Sequence, residues 1–424
     1  MRKRVIGAVF AAMTVVGLCV GCGQTKERVN EAGESVITVW SPTDEPAIEE
    51  WWVEKIEAFN QAHKGKIHLQ REAIVRADSY AYEDKINAAI TSNDLPDILF
   101  VDGPTVSVYA ANEITLPLDD LFTEAEWEDF LDSSRQQNTY DGKIYAVSAT
   151  ESSVALYYNA DMLAEAGIRV PESKEEAWTW QEFYDAAKRL TKDGVVGTNI
   201  IMDKGEGLPY VLEQFWISNG TDLVSADGYI NSPEGVEAAE FLNSLIQGGY
   251  ANIDPIQKEF HNERAATMLG GSWEVATLEN DYPDLNWGVT YFPVAENGIL
   301  TSPTGDWAAS VTKNTQDMDA VKEVMRFLFS EENVATYAQA ISKPPTRKSS
   351  YDVLTEYNEY PRSLFKEQLM ETGHPRPRTP SYSVLSAEFS EAMLNIFTGV
   401  DAKEALDAAA AATDKDYNKY YAQE

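Results

Sequence analysis

The chain has 424 residues, more than one hydrophobic core of ordinary size holds, so two lobes are expected. With 44% hydrophobic and 24% charged residues it can bury a sizeable core, which excludes disorder over most of its length. Lys and Arg number 34 against 69 Asp and Glu, and a net charge of −35 repels phosphate backbones, so no nucleic acid is expected as a partner.

Arg2, Lys3 and Arg4 precede an apolar run over 5–20, too short for a membrane span and suited to a secretory leader. The run ends in Leu18-Cys19-Val20-Gly21-Cys22, followed by polar Gly23-Gln24-Thr25-Lys26, and resembles a bacterial lipoprotein signal. Residues 1–21 are then the signal peptide, Cys22 the lipidated N-terminus and 22–35 a flexible tether, although Cys19 stands where such signals prefer Leu. One Cys would remain after cleavage, which excludes an internal disulfide, a catalytic Cys and a thiolate metal site. Two or three acyl chains make a lasting anchor.

Val36-Ile37-Thr38-Val39-Trp40 is a β-branched run that predicts a buried strand, and Ser41-Pro42-Thr43-Asp44 is turn and cap chemistry. Ile48, Trp51, Trp52, Ile56 and Phe59 keep helical spacing as far as Asn60, before a second strand over 67–72. A helix over 80–90, the turn Asn93-Asp94-Leu95-Pro96 and a strand over 97–101 repeat the pattern. Such alternation predicts a parallel or mixed sheet covered on both faces, whose ligands bind outside the carboxyl ends of strands, here 40–44 and 102–105. Strand-like stretches over 143–147 and 154–159 flank the polar Thr150-Glu151-Ser152, expected at a cleft. Helices follow at 161–166 and 179–190, the latter with Thr179 and Glu182 as a capping box. Another αβ set covers 195–260, within which Ser232-Pro233-Glu234 opens a helix.

Met268-Leu269-Gly270-Gly271-Ser272-Trp273 reads as a strand breaking into a glycine turn, ahead of a strand over 287–292. Thr304-Gly305-Asp306-Trp307 repeats the device ahead of another strand. Glycine beside Trp lets the backbone approach a ligand while the indole covers it, or makes a tight turn around a core Trp. Helices over 319–329, 386–398 and 402–412 complete the chain.

Chemistry-bearing motifs are missing. His63, His68, His261 and His374 lack zinc spacing, and neither a GxSxG nor a phosphate-cradling loop occurs, so no metal or cofactor is expected. Asp414, Asp416 and Asn418 imitate a calcium loop, but Lys419 stands where Gly is needed. A glycosidase needs only two carboxylates, so 69 acidic residues do not exclude one. Ten Trp and 21 Tyr supply flat faces of the kind that stack on sugar rings.

Several segments, in their order and spacing, resemble the extracellular solute-binding proteins of bacterial ABC importers, specifically the sugar-binding group that includes maltose-binding proteins. They are Ile37-Thr38-Val39-Trp40, Leu95-Pro96-Asp97-Ile98, Gly142-Lys143-Ile144-Tyr145-Ala146-Val147, Leu156-Tyr157-Tyr158-Asn159 and Trp178-Thr179-Trp180-Gln181-Glu182-Phe183. Ala265-Ala266-Thr267-Met268, Gly271-Ser272-Trp273-Glu274 and Gly305-Asp306-Trp307 continue the series over nearly the whole chain. The resemblance implies an α/β, two-lobed periplasmic-binding-protein-like fold of type II, each lobe a mixed sheet flanked by helices, with the ligand cleft between. Lobe 1 is then expected over 36–145 plus 300–342, and lobe 2 over 146–299 plus 343–424.

Carried over residue by residue, the cleft takes Trp40, Thr43, Asp44, Asp102, Glu151, Trp273 and Trp307. Glu206 and Tyr210 come from 205–216, and Arg378 and Tyr382 from beside the proline-rich loop 375–380. Trp273 and Trp307 are expected to stack on sugar rings, and Asp44, Asp102 and Glu151 to accept hydroxyl hydrogen bonds. The implied function is that of a monomeric, lipid-anchored binding protein outside the cytoplasm, one that performs no catalysis, captures a carbohydrate, an oligosaccharide by preference, and delivers it to ABC permease subunits. A non-sugar solute (a polyamine, a glycerol phosphate derivative or a peptide) on the same fold stays open, as do a surface glycoside hydrolase and a sensor partner.

Overall fold

The computed structural model describes residues 29–43, 46–75, 81–201, 203–224, 229–296 and 298–421. The leader, Cys22 and Asp44 lie outside them. β1 (Ser35–Pro42) and β2 (Ile67–Ile74) pair in parallel, from Ser35 opposite Ile67 to Pro42 opposite Ile74. The helix Pro46–Ala62 joins them and buries Ile48, Trp51, Trp52 and Phe59, the predicted apolar face. β3 (Ile98–Asp102) pairs in parallel with the other side of β1, which brings Asp102 to a carboxyl end of the sheet.

Strand-like 143–147 is divided in two: β4 (Thr139–Tyr140) and β5 (Lys143–Ile144) form a hairpin, and β6 (Ala146–Ser148) is separate. β7 (Ser152–Asn159), β8 (Val196–Asn199), β9 (Ala265–Gly271) and β10 (Trp287–Thr290) build a second sheet, with β7 antiparallel to β9 and β10 and β8 parallel to β9. β11 (Ser302–Gly305) pairs with β7, and β12 (Trp307–Val311) pairs with β3 and β6 in the first sheet. β13 (Gly373–Pro375) closes the second sheet beside β11. The orders are β2-β1-β3-β12-β6 and β13-β11-β7-β9-β8, with β10 on β7. Helices flank both, so the architecture is two mixed sheets, each in its own lobe.

Some expected assignments shift. The turn expected at Gly305-Asp306 is instead a passage from one sheet to the other, since β11 ends at Gly305 and β12 begins at Trp307. β6 was expected in the second lobe and β11 in the first, yet their ladders place each in the opposite sheet. Tyr351, Leu354 and Tyr357 pack on Ala335 and Ala338. Those alanines belong to the helix Glu331–Ile341, missed in the sequence although Ser330 caps it and Glu331 and Glu332 fill its first turn. No described helix is long and apolar enough to cross a membrane.

The second core positions the elements that matter below. Every residue of the helix Gly207–Ser218 is buried, because it runs through the lobe rather than over it. Trp216 fastens it: the indole N–H donates to the Ile230 carbonyl at 2.9 Å, and the ring meets Phe389 edge-on at 5.0 Å. Phe389 lies on the helix Tyr382–Phe397, so one ring joins two helices. Trp216→Ala is expected to cost about 3–5 kcal/mol, read as a lower urea midpoint, from the cavity and the lost hydrogen bond together.

Candidate ligand-binding site

The chain passes between the sheets at 149–151 and at Asp306, and these two passages are tied together. Thr150 Oγ1 donates to Asp306 Oδ2 at 2.7 Å, and Lys343 Nζ reaches both oxygens of Asp306 at 3.0 and 3.2 Å. The segment around Lys343 lies against the first passage: the Glu151 amide donates to the Pro344 carbonyl at 2.9 Å, and the Thr346 amide to that of Ala149 at 3.0 Å. Such strand-to-strand passages, pinned side by side, are suited to a hinge.

Beside the passages, a cavity of about 540 Å³ is walled by Glu83, Asp102 and Thr105 of the first lobe and by Lys204, Glu206, Tyr382 and Ser386 of the second. A larger depression, about 930 Å³, is lined by Trp180, Tyr184, Glu237, Glu240 and Phe241. It belongs to the second lobe alone, so approach of the lobes does not act on it, and the smaller cavity is the candidate.

Under that cavity lies Arg376. Its Nη2 donates to Asp102 Oδ1 at 2.7 Å and its Nη1 to Glu206 Oε1 at 2.7 Å. Its guanidinium carbon lies 4.7 Å from the centre of the Tyr210 ring. The side chain of Arg376 is 4% exposed, whereas those of Asp102 and Glu206 are 23% and 32% exposed. Both carboxylates hold the guanidinium and line the cavity, where they remain partly exposed. Glu206 also accepts from the hydroxyls of Tyr382 and Ser386. Gly305 makes room for this arrangement, since a Cβ there would lie 2.4 Å from Arg376 Nη2. Tyr210 in turn stacks on Trp273, with centroids 6.0 Å apart and planes 22° from parallel, and its hydroxyl pairs with Ser152 Oγ at 2.9 Å.

The residues nominated from the sequence divide accordingly. Asp102, Glu206, Tyr210, Trp273 and Tyr382 form one connected group, and Trp307 stands opposite Asp102 in the β3–β12 ladder with its ring edge-on to Tyr82 at 5.7 Å. Trp40 is 8% exposed, packed with Tyr82, Ile86 and Leu99, and Lys85 Nζ covers its ring at 4.4 Å. Thr43 is exposed at the end of β1, bonded through its amide to Ile74. Arg378 is exposed on another face, against the Gln136 carbonyl at 3.3 Å. Glu151, expected at an open cleft, is 1% exposed within the passage.

Arg376 was missed. Two arginines two residues apart in a proline-rich stretch carry no signal that separates them; Arg376 fills the space beside Gly305, whereas Arg378 reaches the Gln136 carbonyl. Lys204, in the loop before Gly207–Ser218, and the helical Glu83 and Ser386 were missed as well, since isolated polar residues read as solvated surface.

Burial, with Asp306 nearby, pushes the Glu151 carboxyl up from 4.5 to about 8. Burial also raises Glu206, against the pull of Arg376, and raises Glu213 and Asp222. Native Glu151 thus keeps a proton that the unfolded chain releases above about 4.5, so its contribution to stability falls as pH rises through the window from 4.5 to about 8 and then levels. Melting temperature should decline across pH 5–8, and Glu151→Gln should flatten that decline by several degrees. Parallel curves for the two proteins would contradict the assignment.

Known proteins resemble the chain. Residues 54–365 match the family model described as bacterial extracellular solute-binding protein. The maltodextrin-binding protein MdxE of Bacillus subtilis is 23% identical over 397 residues, which cover 90% of this chain and 89% of that protein. The diacetylchitobiose binding protein DasA of Streptomyces coelicolor is 23% identical over 379 residues, covering 82% and 83%. The crystal structure of the cyclic alpha-maltosyl-1,6-maltose binding protein from Arthrobacter globiformis matches the fold with a TM-score of 0.78 at 24% identity, covering 91% of this chain and all of that one. The chain belongs to the bacterial extracellular solute-binding proteins.

Proposed function

We propose that this protein is the substrate-binding lipoprotein of a carbohydrate ABC importer, capturing an oligosaccharide between its lobes and presenting it to membrane permease subunits. The observation that carries this reading is the cavity whose walls come from both lobes, with Asp102 of the first and Glu206 of the second among its lining residues. A ligand that touches both walls favours the closed arrangement over the open one by its differential contacts, and no chemistry is required of it. The maltodextrin-binding and diacetylchitobiose binding relatives support an oligosaccharide.

Site chemistry favours a neutral polyol over a polyamine. The two carboxylates already share a buried guanidinium, so they act as oriented hydroxyl acceptors rather than as countercharge for an ammonium group. The Tyr210–Trp273 stack lies beyond the cavity lining, on the far side of Arg376, and its partly exposed member Trp273 is the ring we assign to stacking on a sugar that extends past the carboxylates. We read the lobes as 35–148 with 307–358 and 152–305 with 359–421, after the sheet ladders and the packing of 343–358. Lipidation at Cys22 then holds the monomer to the outer face of the cell membrane.

A thermal-shift and calorimetric screen of the mature, detergent-solubilised protein against malto-, chito- and arabino-oligosaccharides should give a rise in melting temperature with one class, the sugar being recovered intact. A shift with polyamines or peptides alone would leave the fold and overturn the substrate class. Trp273→Ala should weaken the sugar by about tenfold or more with an unchanged circular dichroism spectrum. Cys22→Ser should abolish incorporation of labelled palmitate and release the protein from the membrane fraction, and retention of both label and membrane association would contradict the anchor.

A further inference from the structure

The further inference rests on the proposed binding function and concerns a residue that does not line the cavity. We propose that Arg376 is a positioning residue for lobe closure: its buried guanidinium makes it electrostatically tolerable for a first-lobe and a second-lobe carboxylate to approach, and it fixes the edges they turn toward the ligand.

Arg376 follows β13 of the second sheet, Asp102 ends β3 of the first, and Glu206 precedes the helix Gly207–Ser218 of the second. The contact with Asp102 is therefore one that lobe separation must stretch. Its geometry is held from several sides: the Arg376 carbonyl is within 3.4 Å of Gln137 Nε2 of the first lobe, Tyr210 stacks beneath the guanidinium, and Gly305 at the passage leaves the space it fills. Without the cation, two carboxylates from opposite lobes are left beside the same cavity with no shared countercharge, an arrangement that like-charge repulsion opposes. With it, the pair behaves as acceptors of defined direction, since a guanidinium fork orients the carboxylates it binds.

The charge-balance account makes a sign prediction that a merely space-filling arginine does not. Spin labels at exposed positions 57 and 240, one on each lobe, report interlobe distance in the full, detergent-solubilised chain without ligand and with saturating oligosaccharide. R376M should enlarge the long-distance population and weaken the sugar by about tenfold, while R376K, which keeps the charge, should stay nearer to the parent protein. D102N should enlarge the long-distance population when Arg376 is present, and shrink it in the R376M background, where it removes one of two repelling charges. If D102N acts in the same direction in both backgrounds, or if folded R376M keeps the parental distance distribution, the proposal is overturned. Should R376M not fold, R376Q and D102N/R376Q take its place in the same comparison and carry the same sign test. The ligand-free distances are independent of the substrate: failure of every sugar to bind would remove the oligosaccharide reading while leaving this sign test decisive.

Discussion

A guanidinium with 4% of its side chain exposed must keep its carboxylates, because removing either leaves an unbalanced charge with little water to solvate it. Arg376 has two, one from each lobe, and that constraint organises the cavity. It sets which way Asp102 and Glu206 face, it requires Gly305 to lack a side chain, and it brings Tyr210 flat beneath it, which in turn gives Trp273 a partner. The aromatic pair and the ionic group are thus one assembly, joined at Arg376 beneath the cavity. Burial works against the carboxylates and the arginine works for them, and Glu206 carries the balance of both.

The passages between the sheets set a second constraint. Strands that leave one sheet and enter the next within a few residues resist most distortions but bend together, provided their side chains stay matched. Thr150, Asp306 and Lys343 match them through hydrogen bonds and an ion pair, while Glu151 sits beside Asp306 as a neutral acid near pH 7. A protonated carboxyl can donate as well as accept, with the hydroxyls of Ser134 and Thr304 at hand. Arg376 lies beside these passages, with Gly305 at the edge of one of them next to its guanidinium.

Much of this was legible in the sequence where local chemistry decides the outcome. The capping box of Thr179 and Glu182 and the Ser232-Pro233 start both stand where their residue types require. Asp102 was accessible from the rule that ligands gather at strand carboxyl ends, while Glu206, Tyr210 and Tyr382 were accessible only through resemblance. What failed was decided by distant packing. Glu151 has the neighbours of an exposed loop residue in sequence, and segments distant in the chain, among them 343–346, Thr304 and Asp306, bury it. Trp40 could cover a ligand or fill a core, and Lys85 with Tyr82 settled it as core. Arg376 and Arg378 differ by a glycine some seventy residues away, which no local pattern records.

Solution X-ray scattering of the mature protein, with and without a saturating oligosaccharide whose binding calorimetry has established, tests the central claim most directly. Binding between the lobes should reduce the radius of gyration by about an ångström or more, as hinge closure brings the two sheets together. An unchanged scattering profile at saturation would mean that the sugar is held on one lobe or on a surface, and would contradict the account.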